Sequence, residues 1–187
     1  SQREITATRE GQRIMKAEQI PQFVVKNGNI EVNPAGKTVQ ETYRKAREAW
    51  TRLNANYAGA LIASIFAARP WLQGFTIDIQ ASAEFDDAGG YYRTISSSIS
   101  DISTVNGAEI PEDLETDGKL DADIAADVMQ QDFEDSVYDI YSVFVDDTAY
   151  EDLRFSFTRN MIEEMIGATE IEGHEAFLRL FTDHESI

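Results

Sequence analysis

The stretch FTIDIQASAEF, residues 75–85, decides the fold, because apolar and polar residues alternate in it without interruption. Successive side chains of a strand point to opposite faces, so one face of this strand carries only apolar residues. That face comprises Phe75, Ile77, Ile79, Ala81, Ala83 and Phe85. One apolar and one polar face are typical of an antiparallel sheet that covers a core on one side. We therefore predict a half-buried antiparallel strand over 75–85.

The residues after this strand predict a partner strand. The segment DDAGG, residues 86–90, combines residue types that favour tight turns. The following YYRTISSSISDI, residues 91–102, is rich in Ser and in β-branched residues. We expect 75–85 and 91–102 to form a long hairpin with one solvated face, which could also serve as a docking surface.

Two weaker signals extend the sheet content. The alternating LRFSFT predicts a third strand of the same sheet over 152–158. The segment QFVVKNGNIEV contains two β-prone runs around Asn27 and Gly28. Asn-Gly is the preferred pair in two-residue hairpin turns, so a small N-terminal hairpin is expected over 22–32.

A first long helix is expected over about 38–68. Thr38 and Glu41 have the spacing of a capping box, and Pro70 follows the predicted end. An apolar stripe recurs at intervals of four and three residues: Val39, Tyr43, Ala46, Trp50, Leu53 and Tyr57. The favoured interpretation of this apolar stripe is a face packed in the intramolecular core, and the alternative is the seam of a homodimer. Every face is apolar over 57–68, which predicts a buried spine there.

A second long helix is expected over about 120–145. Its apolar positions follow the same spacing: Ala122, Ala126, Met129, Phe133, Val137, Ile140 and Phe144. Short helices are expected at about 160–166 and 173–183. The predicted fold class is therefore α+β, with both long helices on the apolar face of the antiparallel sheet. We expect a polar and basic arm or short helix at 1–20, followed by a single domain over 21–187.

Composition excludes several classes of protein. The 187 residues include no cysteine, which rules out disulfide frameworks, zinc ribbons, iron–sulfur clusters and thiol nucleophiles. The longest apolar run, YAGALIASIFAA at 57–68, is shorter than the roughly 18 residues of a transmembrane candidate. The opening SQREITATREGQR is polar and predicts no signal peptide. The expected location is the cytoplasm.

Charge is distributed unevenly along the chain. Residues 1–73 contain 11 Lys/Arg and 6 Asp/Glu, a net charge of +5, whereas residues 74–187 contain 5 and 28, a net charge of −23. An acidic surface of this size is a poor ligand for free nucleic acid or an anionic membrane, and it favours a basic protein surface as partner. Seven acids on the second long helix span about 27 Å, or about 4 Å per charge, near the ~3.4 Å per phosphate of a DNA strand.

Motifs for catalysis or cofactor binding are absent from the sequence. The segment 113–121 resembles a calcium loop, but its twelfth position is Ile124 where a bidentate Glu is required. We therefore predict an acidic turn in which Asp117 or Asp121 caps the next helix. His174 and His184 do not have metal-ligand spacing, and no phosphate-binding loop, dinucleotide fingerprint or nucleophile elbow occurs. We expect no enzyme activity, no metal and no cofactor.

The remaining candidates are partner-binding residues. They lie on the predicted acidic helix and on the hairpin: Asp121, Asp123, Asp127, Asp132, Glu134, Asp135 and Asp139, with Asp86, Asp87, Tyr91 and Tyr92. The first hypothesis is an inhibitor that imitates nucleic acid electrostatically and occupies the basic surface of a nucleic-acid-binding protein or complex. Acidic anti-restriction and anti-CRISPR proteins of phages and plasmids are the analogy, at the level of class. The alternatives are an assembly protein whose basic N-terminal and acidic C-terminal surfaces associate, and an antitoxin or immunity-type protein.

Overall fold

A computed structural model describes residues 20–182 and the backbone of residues 185–186. Within these residues the protein is α+β with antiparallel sheets, which confirms the predicted fold class. The chain divides into two compact units, Ser1–Trp50 and Thr51–Ile187. The arm predicted at 1–20 lies outside the described residues except for Ile20.

The described part of the unit Ser1–Trp50 begins with the predicted hairpin. Strands β1 (Phe23–Lys26) and β2 (Asn29–Val32) pair antiparallel, with Lys26 opposite Asn29. Asn27 and Gly28 connect them with φ values of 54° and 82°. Two positive φ angles in succession are what a type I′ turn requires, and Asn-Gly adopts them at low cost.

Helix α1 (Pro34–Ala68) starts one turn earlier than predicted. Asn33 precedes it, and its Oδ1 accepts a hydrogen bond from the Gly36 N–H at 2.8 Å. An Asn before a Pro at the first helical position is a favourable helix start, since the Pro has no N–H to satisfy. The capping box predicted at Thr38 was wrong, because the Thr38 hydroxyl lies inside the helix and donates to the Pro34 carbonyl.

The burial of α1 differs from the prediction in its first half. The residues of the apolar stripe are exposed, so the favoured interpretation of this stripe as intramolecular core was wrong. The expected spine is present further along, where Ala58, Ile62, Ile65 and Phe66 are buried. The helix ends before Pro70, as predicted.

The main sheet belongs to the unit Thr51–Ile187. Its strands are β3 (Leu72–Phe85), β4 (Tyr91–Thr104), β7 (Leu153–Thr158) and β8 (Glu185–Ser186), all paired antiparallel in the order β4-β3-β7-β8. The three predicted strands are confirmed. A separate two-stranded sheet pairs β5 (Glu115–Thr116) with β6 (Lys119–Leu120).

Burial along β3 stops before the alternation of the sequence does. Phe75, Ile77 and Ile79 are buried, whereas Ala83 and Phe85 on the same face are exposed. The reason lies in the pairing, since β7 accompanies β3 only from Gly74 to Ile79, while β4 follows it to its end. The ends of β3 and β4 therefore form a two-stranded finger, residues 82–92, which is exposed on both faces.

The helix predicted over 120–145 is two helices, α2 (Ala122–Gln130) and α3 (Val137–Phe144). Residues 131–136 form turns, with Asp132 N–H donating to the Met129 carbonyl and Phe133 N–H to the Gln130 carbonyl. Asp and Ser have low helix propensity, which favours a break in this segment. The break places Phe133 beside Phe75 at 6.2 Å between ring centroids, where it is fully buried.

The described C-terminal residues contain one α-helix, where two were predicted. The segment predicted as a helix over 160–166 is a short 3-10 turn, Arg159–Met161, followed by further turns. Helix α4 (Gly173–Leu180) matches the other prediction but ends earlier. Gly59 of α1 and Gly173 of α4 lie so close that neither position has room for a Cβ. Across residues 20–182, none of the helices has the unbroken apolar length that crossing a lipid bilayer requires.

Candidate protein-binding surface

Four of the seven predicted helix acids are fully available at the surface. Asp123 and Asp127 are exposed on α2, and Glu134 and Asp135 are exposed in the 131–136 turn. None of the four forms a salt bridge with another residue of the described ranges. We refer to these four residues as the acidic face.

The other three acids have structural contacts. Asp121 caps α2, since its Oδ1 accepts from the N–H groups of Asp123 and Ile124 at 3.2 Å. These backbone hydrogen bonds, with one from the Thr116 hydroxyl, hold the pKa of Asp121 below its usual value. Asp132 pairs with Arg69 at 2.7 Å. Asp139 is half-buried in the first turn of α3, where a negative charge suits the helix dipole.

The regular charge ladder predicted from one continuous helix is therefore wrong. Two short helices and a turn replace the single 27 Å rod, and two of its acids are engaged in a cap and an ion pair. What remains is a local excess of exposed carboxylates with no fixed repeat. Such a surface attracts cations by its summed potential and not by a matched spacing.

Most arginines of this unit contact partners within the unit, and no motif in the sequence indicates these contacts. The side chain of Arg93 is 9% exposed and donates to the carbonyls of Asp146 and Ala149 at 2.9 and 2.8 Å. Its guanidinium also lies 5.2 Å from the ring centre of Tyr141. Arg93 thus secures the 146–149 loop beside β4. No local pattern could have indicated this role, because its partners are more than 50 residues away in the chain.

Two further arginines do similar structural work. Arg159 donates to the carbonyls of Phe66, Arg69 and Leu72, which satisfies the end of α1 and the turn after it. Burial lowers the pKa of Arg159, yet the group stays charged at neutral pH. Arg154 on β7 lies 3.6 Å from the carboxylates of both Asp78 and Asp101. Little positive charge is left to offset the acidic face.

The finger carries the other predicted site residues. Tyr91 and Tyr92 are exposed at its end, and the ring of Tyr91 packs on Phe85 at 3.9 Å between centroids. The Tyr92 hydroxyl donates to Glu84 at 3.0 Å, and this hydrogen bond raises the pKa of Tyr92. Phe85, predicted on the core face from the alternation of β3, is exposed and joins the aromatic group of the finger.

The two predicted site acids of the finger, Asp86 and Asp87, differ in role. The Asp86 carboxylate accepts from the Gly90 N–H at 2.7 Å and stabilises the turn. Asp87 is exposed beside it. The finger and the acidic face belong to elements that meet at β4, since α2 packs against this strand and the Gln130 amide donates to the Ser97 hydroxyl at 2.7 Å. The predicted residues that are exposed thus lie on two separate features of one unit, the acidic face and the finger.

The loop that resembles a calcium site is a hairpin. Asp117 and Gly118 form its turn with φ values of 53° and 77°, and Asp121 is the predicted helix cap. Within residues 20–182, no three His, Cys, Asp or Glu side chains are grouped closely enough to hold a metal ion. His174 is exposed with its Nδ1 3.3 Å from Asn56, and His184 lies outside the described residues.

The chain matches no protein-family model, and comparison with curated proteins and with solved structures finds no significant similarity. Any functional conclusion therefore depends on the charges and exposed side chains described above.

Proposed function

We propose that this protein is a non-enzymatic inhibitor that binds a basic surface of a nucleic-acid-binding protein or complex. The observation that carries the proposal is the acidic face, four exposed carboxylates in a unit whose arginines are mostly engaged internally. A protein that binds the phosphates of nucleic acid has Lys and Arg side chains at its surface, and the acidic face attracts such cationic side chains.

The charge balance of the unit supports this direction of binding. Thr51–Ile187 contains 7 Lys/Arg and 28 Asp/Glu, a net charge of −21. Of those seven, Arg69, Arg93, Arg154, Arg159 and Arg179 make ion pairs or hydrogen bonds within the unit. Repulsion among so many like charges lowers the stability of the folded unit. The acidic surface therefore does not serve folding, and a cationic partner gives a reason for it.

Acidic inhibitors that phages and plasmids direct against restriction or CRISPR complexes act by this electrostatic principle. The analogy is one of charge and exposure only, because the ordered ladder of a phosphate backbone is not reproduced here. The electrostatic attraction of the acidic face does not by itself select one partner. The exposed aromatic side chains of the finger would add a specific contact beside it, since Tyr side chains are enriched at the centres of protein interfaces.

The test uses charge reversal on the acidic face. A variant with Asp123→Lys, Asp127→Lys and Glu134→Lys removes three exposed carboxylates that make no salt bridge, so we expect an unchanged fold. Wild type and variant are used as bait in host lysate, and captured proteins are eluted with duplex DNA. Wild type should retain basic nucleic-acid-binding proteins that DNA releases, and the variant should lose them. With a captured partner in hand, association should slow by about tenfold or more at low salt, and the difference should shrink at high salt.

A matched control separates position from net charge. Glu163→Lys, Glu170→Lys and Glu172→Lys changes the same number of exposed acids in a different segment. This control should keep most of the wild-type association rate. If both triple variants bind like wild type, the acidic face is only a solvated surface and the proposal fails. If both lose binding equally, net charge and not the acidic face is responsible.

A second candidate function is electrostatic self-assembly. The unit Ser1–Trp50 contains 9 Lys/Arg and 6 Asp/Glu, a net charge of +3, against −21 in the other unit. Assembly through these opposite charges predicts oligomers at low salt that dissociate at high salt, as measured by light scattering after size exclusion. An inhibitor of the kind proposed shows no such salt-sensitive oligomers.

A further inference from the structure

The apolar stripe of α1 is the largest exposed apolar feature on a single helix of the described chain. The exposed fractions are 53% for Val39, 69% for Tyr43, 59% for Trp50, 58% for Leu53 and 43% for Tyr57. Solvated helices normally present polar residues at such positions, and contiguous exposed apolar surface marks an interaction site.

The spacing of this stripe specifies the kind of partner. Intervals of four and three residues, sustained from Val39 to Tyr57, correspond to the 3.5-residue repeat of a coiled-coil seam. A helix that packs on a flat core surface has a wider apolar face, and this one has a narrow seam. The natural partner for such a seam is another helix with the same repeat, and a second copy of this chain supplies one.

We propose that α1 pairs with α1 of a second copy in an antiparallel coiled coil along the apolar stripe. The seam residues alternate between the two apolar positions of the heptad. In an antiparallel pair, a residue at one of these positions faces a residue at the other position on the partner helix. The facing residues are Val39 with Tyr57, Tyr43 with Leu53 and Ala46 with Trp50, each pair occurring twice. Every large aromatic side chain then meets a smaller aliphatic one, which gives well-filled layers.

The parallel arrangement is less favourable for the same residues. It stacks Tyr43 on Tyr43, Trp50 on Trp50 and Ala46 on Ala46, so bulky layers alternate with an underfilled one. Both arrangements have the twofold symmetry of most homodimers, and they differ in the helix dipoles, which oppose each other favourably only in an antiparallel pair.

The area is sufficient for a specific dimer. Side chains of this size expose roughly 600 Å² per copy at the fractions given above, so a complete seam buries roughly 1,200 Å² in total. This lies at the lower end of the range for stable interfaces. The exposed positions beside the seam are mostly uncharged, namely Gln40, Thr42 and Ala49, with Arg47 as the exception, while Asn54 and Asn56 already contact side chains of the same chain. Salt therefore should not weaken this dimer.

The first experiment measures the mass of the full chain by sedimentation equilibrium at low and high salt. A dimer that persists at high salt is expected. Trp50→Glu should weaken it by about 30-fold, the size of effect seen at interface hot spots. The matched control is Tyr150→Glu, which changes a residue of similar exposure outside the stripe and should leave the dimer constant unchanged. A circular dichroism melt of each variant verifies that the fold is kept.

The second experiment tests the direction of pairing and uses the absence of native cysteine. With a short bis-maleimide cross-linker, Ala49→Cys should yield a cross-linked dimer because position 49 lies near the twofold axis. Val39→Cys should not, because the antiparallel register separates its two copies by about 27 Å along the helix axis. Cross-linking at 39 and not at 49 would overturn the antiparallel arrangement.

Other outcomes overturn the inference while leaving the inhibitor proposal open. A chain that is monomeric at all concentrations has no seam of this kind. Acrylamide quenching then identifies the cause, because Trp71 is buried and Trp50 dominates the accessible fluorescence. A shielded Trp50 in a monomer would mean that another segment of the same chain covers the stripe. Oligomers that vanish at high salt and ignore Trp50→Glu would indicate electrostatic assembly instead.

Discussion

Helix α1 has two halves that look alike in sequence and differ completely in burial. Ala58, Ile62 and Phe66 in the second half are at most 1% exposed, and Phe66 packs on Phe75 at 5.7 Å between ring centroids. In the first half, Tyr43 and Trp50 occupy equally regular apolar positions and are mostly exposed. Helical periodicity determines which residues share a face of the helix. Whether that face is buried depends on whether another element of the fold packs against it.

The comparison also separates two kinds of stabilisation. The second half of α1 is held by the core of its unit, whereas the described contacts of the first half are local. On the exposed half, the Arg44 guanidinium pairs with Glu41 and Glu48 within one turn on either side. Pairs of this kind support a solvated helix weakly. The seam proposed for this half would therefore supply a second, intermolecular source of stability.

The largest difference between the halves should be seen on truncating one aromatic in each. Phe66→Ala removes a fully buried ring and should lower the free energy of unfolding by about 3–5 kcal/mol. Tyr43→Ala should change it by less than about 0.5 kcal/mol at high dilution, where copies are separated. Urea denaturation of both variants measures the contrast. Equal losses would mean that Tyr43 is covered within the chain.

A smaller effect is expected where burial begins. Gly59→Ala introduces a Cβ that overlaps backbone atoms of Gly173 and Phe177 on α4, so the two helices must separate. We expect a loss of about 1–3 kcal/mol despite the better helix propensity of Ala. On the exposed half, Ala is favoured over Gly because, among the described residues, no neighbouring helix packs on the exposed position 49. Ala49→Gly should therefore destabilise the protein by about 0.5–1 kcal/mol. Thermal melts of the two variants check this opposition.

The hydroxyl of Tyr57 should contribute less to the free energy of unfolding than the close approach at Gly59. It lies 2.6 Å from the Oγ of Ser136, a buried residue in the 131–136 turn. Tyr57→Phe leaves that Ser without this partner and should cost about 1 kcal/mol. Tyr43→Phe, which removes an exposed hydroxyl, is the control and should have no measurable effect. A stable Tyr57→Phe variant would show that water replaces the contact.

The smallest effect concerns the ion pairs of the exposed half and depends on pH. The hydrogen bond from Arg44 lowers the pKa of Glu41 in the folded chain. A lowered folded pKa means that the stabilisation is present at neutral pH and is lost as the pH falls through that value. Arg44→Gln should therefore lower Tm slightly at pH 7 and not at all once the pH is below the lowered pKa of Glu41. A Tm difference that persists in acid would assign the effect to the Arg44 side-chain packing.

For the candidate surface, the exposure of individual acids could be predicted from the sequence, but their ion pairs with distant residues could not. Asp123 and Asp127 are polar positions opposite an apolar stripe, so their exposure follows from sequence. The helix cap was predicted at Asp117 or Asp121, and it is Asp121. The ion pair between Asp132 and Arg69 joins residues 63 positions apart, and a single sequence contains no signal for it. It removes one of the seven acids from the proposed surface.

Some features of this protein followed from the sequence alone because their causes are local. The Asn27-Gly28 turn depends on two backbone angles that these residues adopt easily. The pairing of β3 with β4 follows from alternation on either side of a short acidic turn. The charge asymmetry is a property of the sequence itself, and the end of α1 before Pro70 is set by local residues.

Only the tertiary structure decided which apolar residues are buried. Ala83 and Phe85 continue the alternation of Ile77 and Ile79, yet they are exposed because β7 ends its pairing at Ile79. The helix predicted over 120–145 breaks where Phe133 reaches the sheet, and Arg93 finds its partners in a distant loop. Burial depends on the area that another element brings into contact, and that area is fixed by long-range packing. A local repeat specifies a face, and only the fold determines what that face meets.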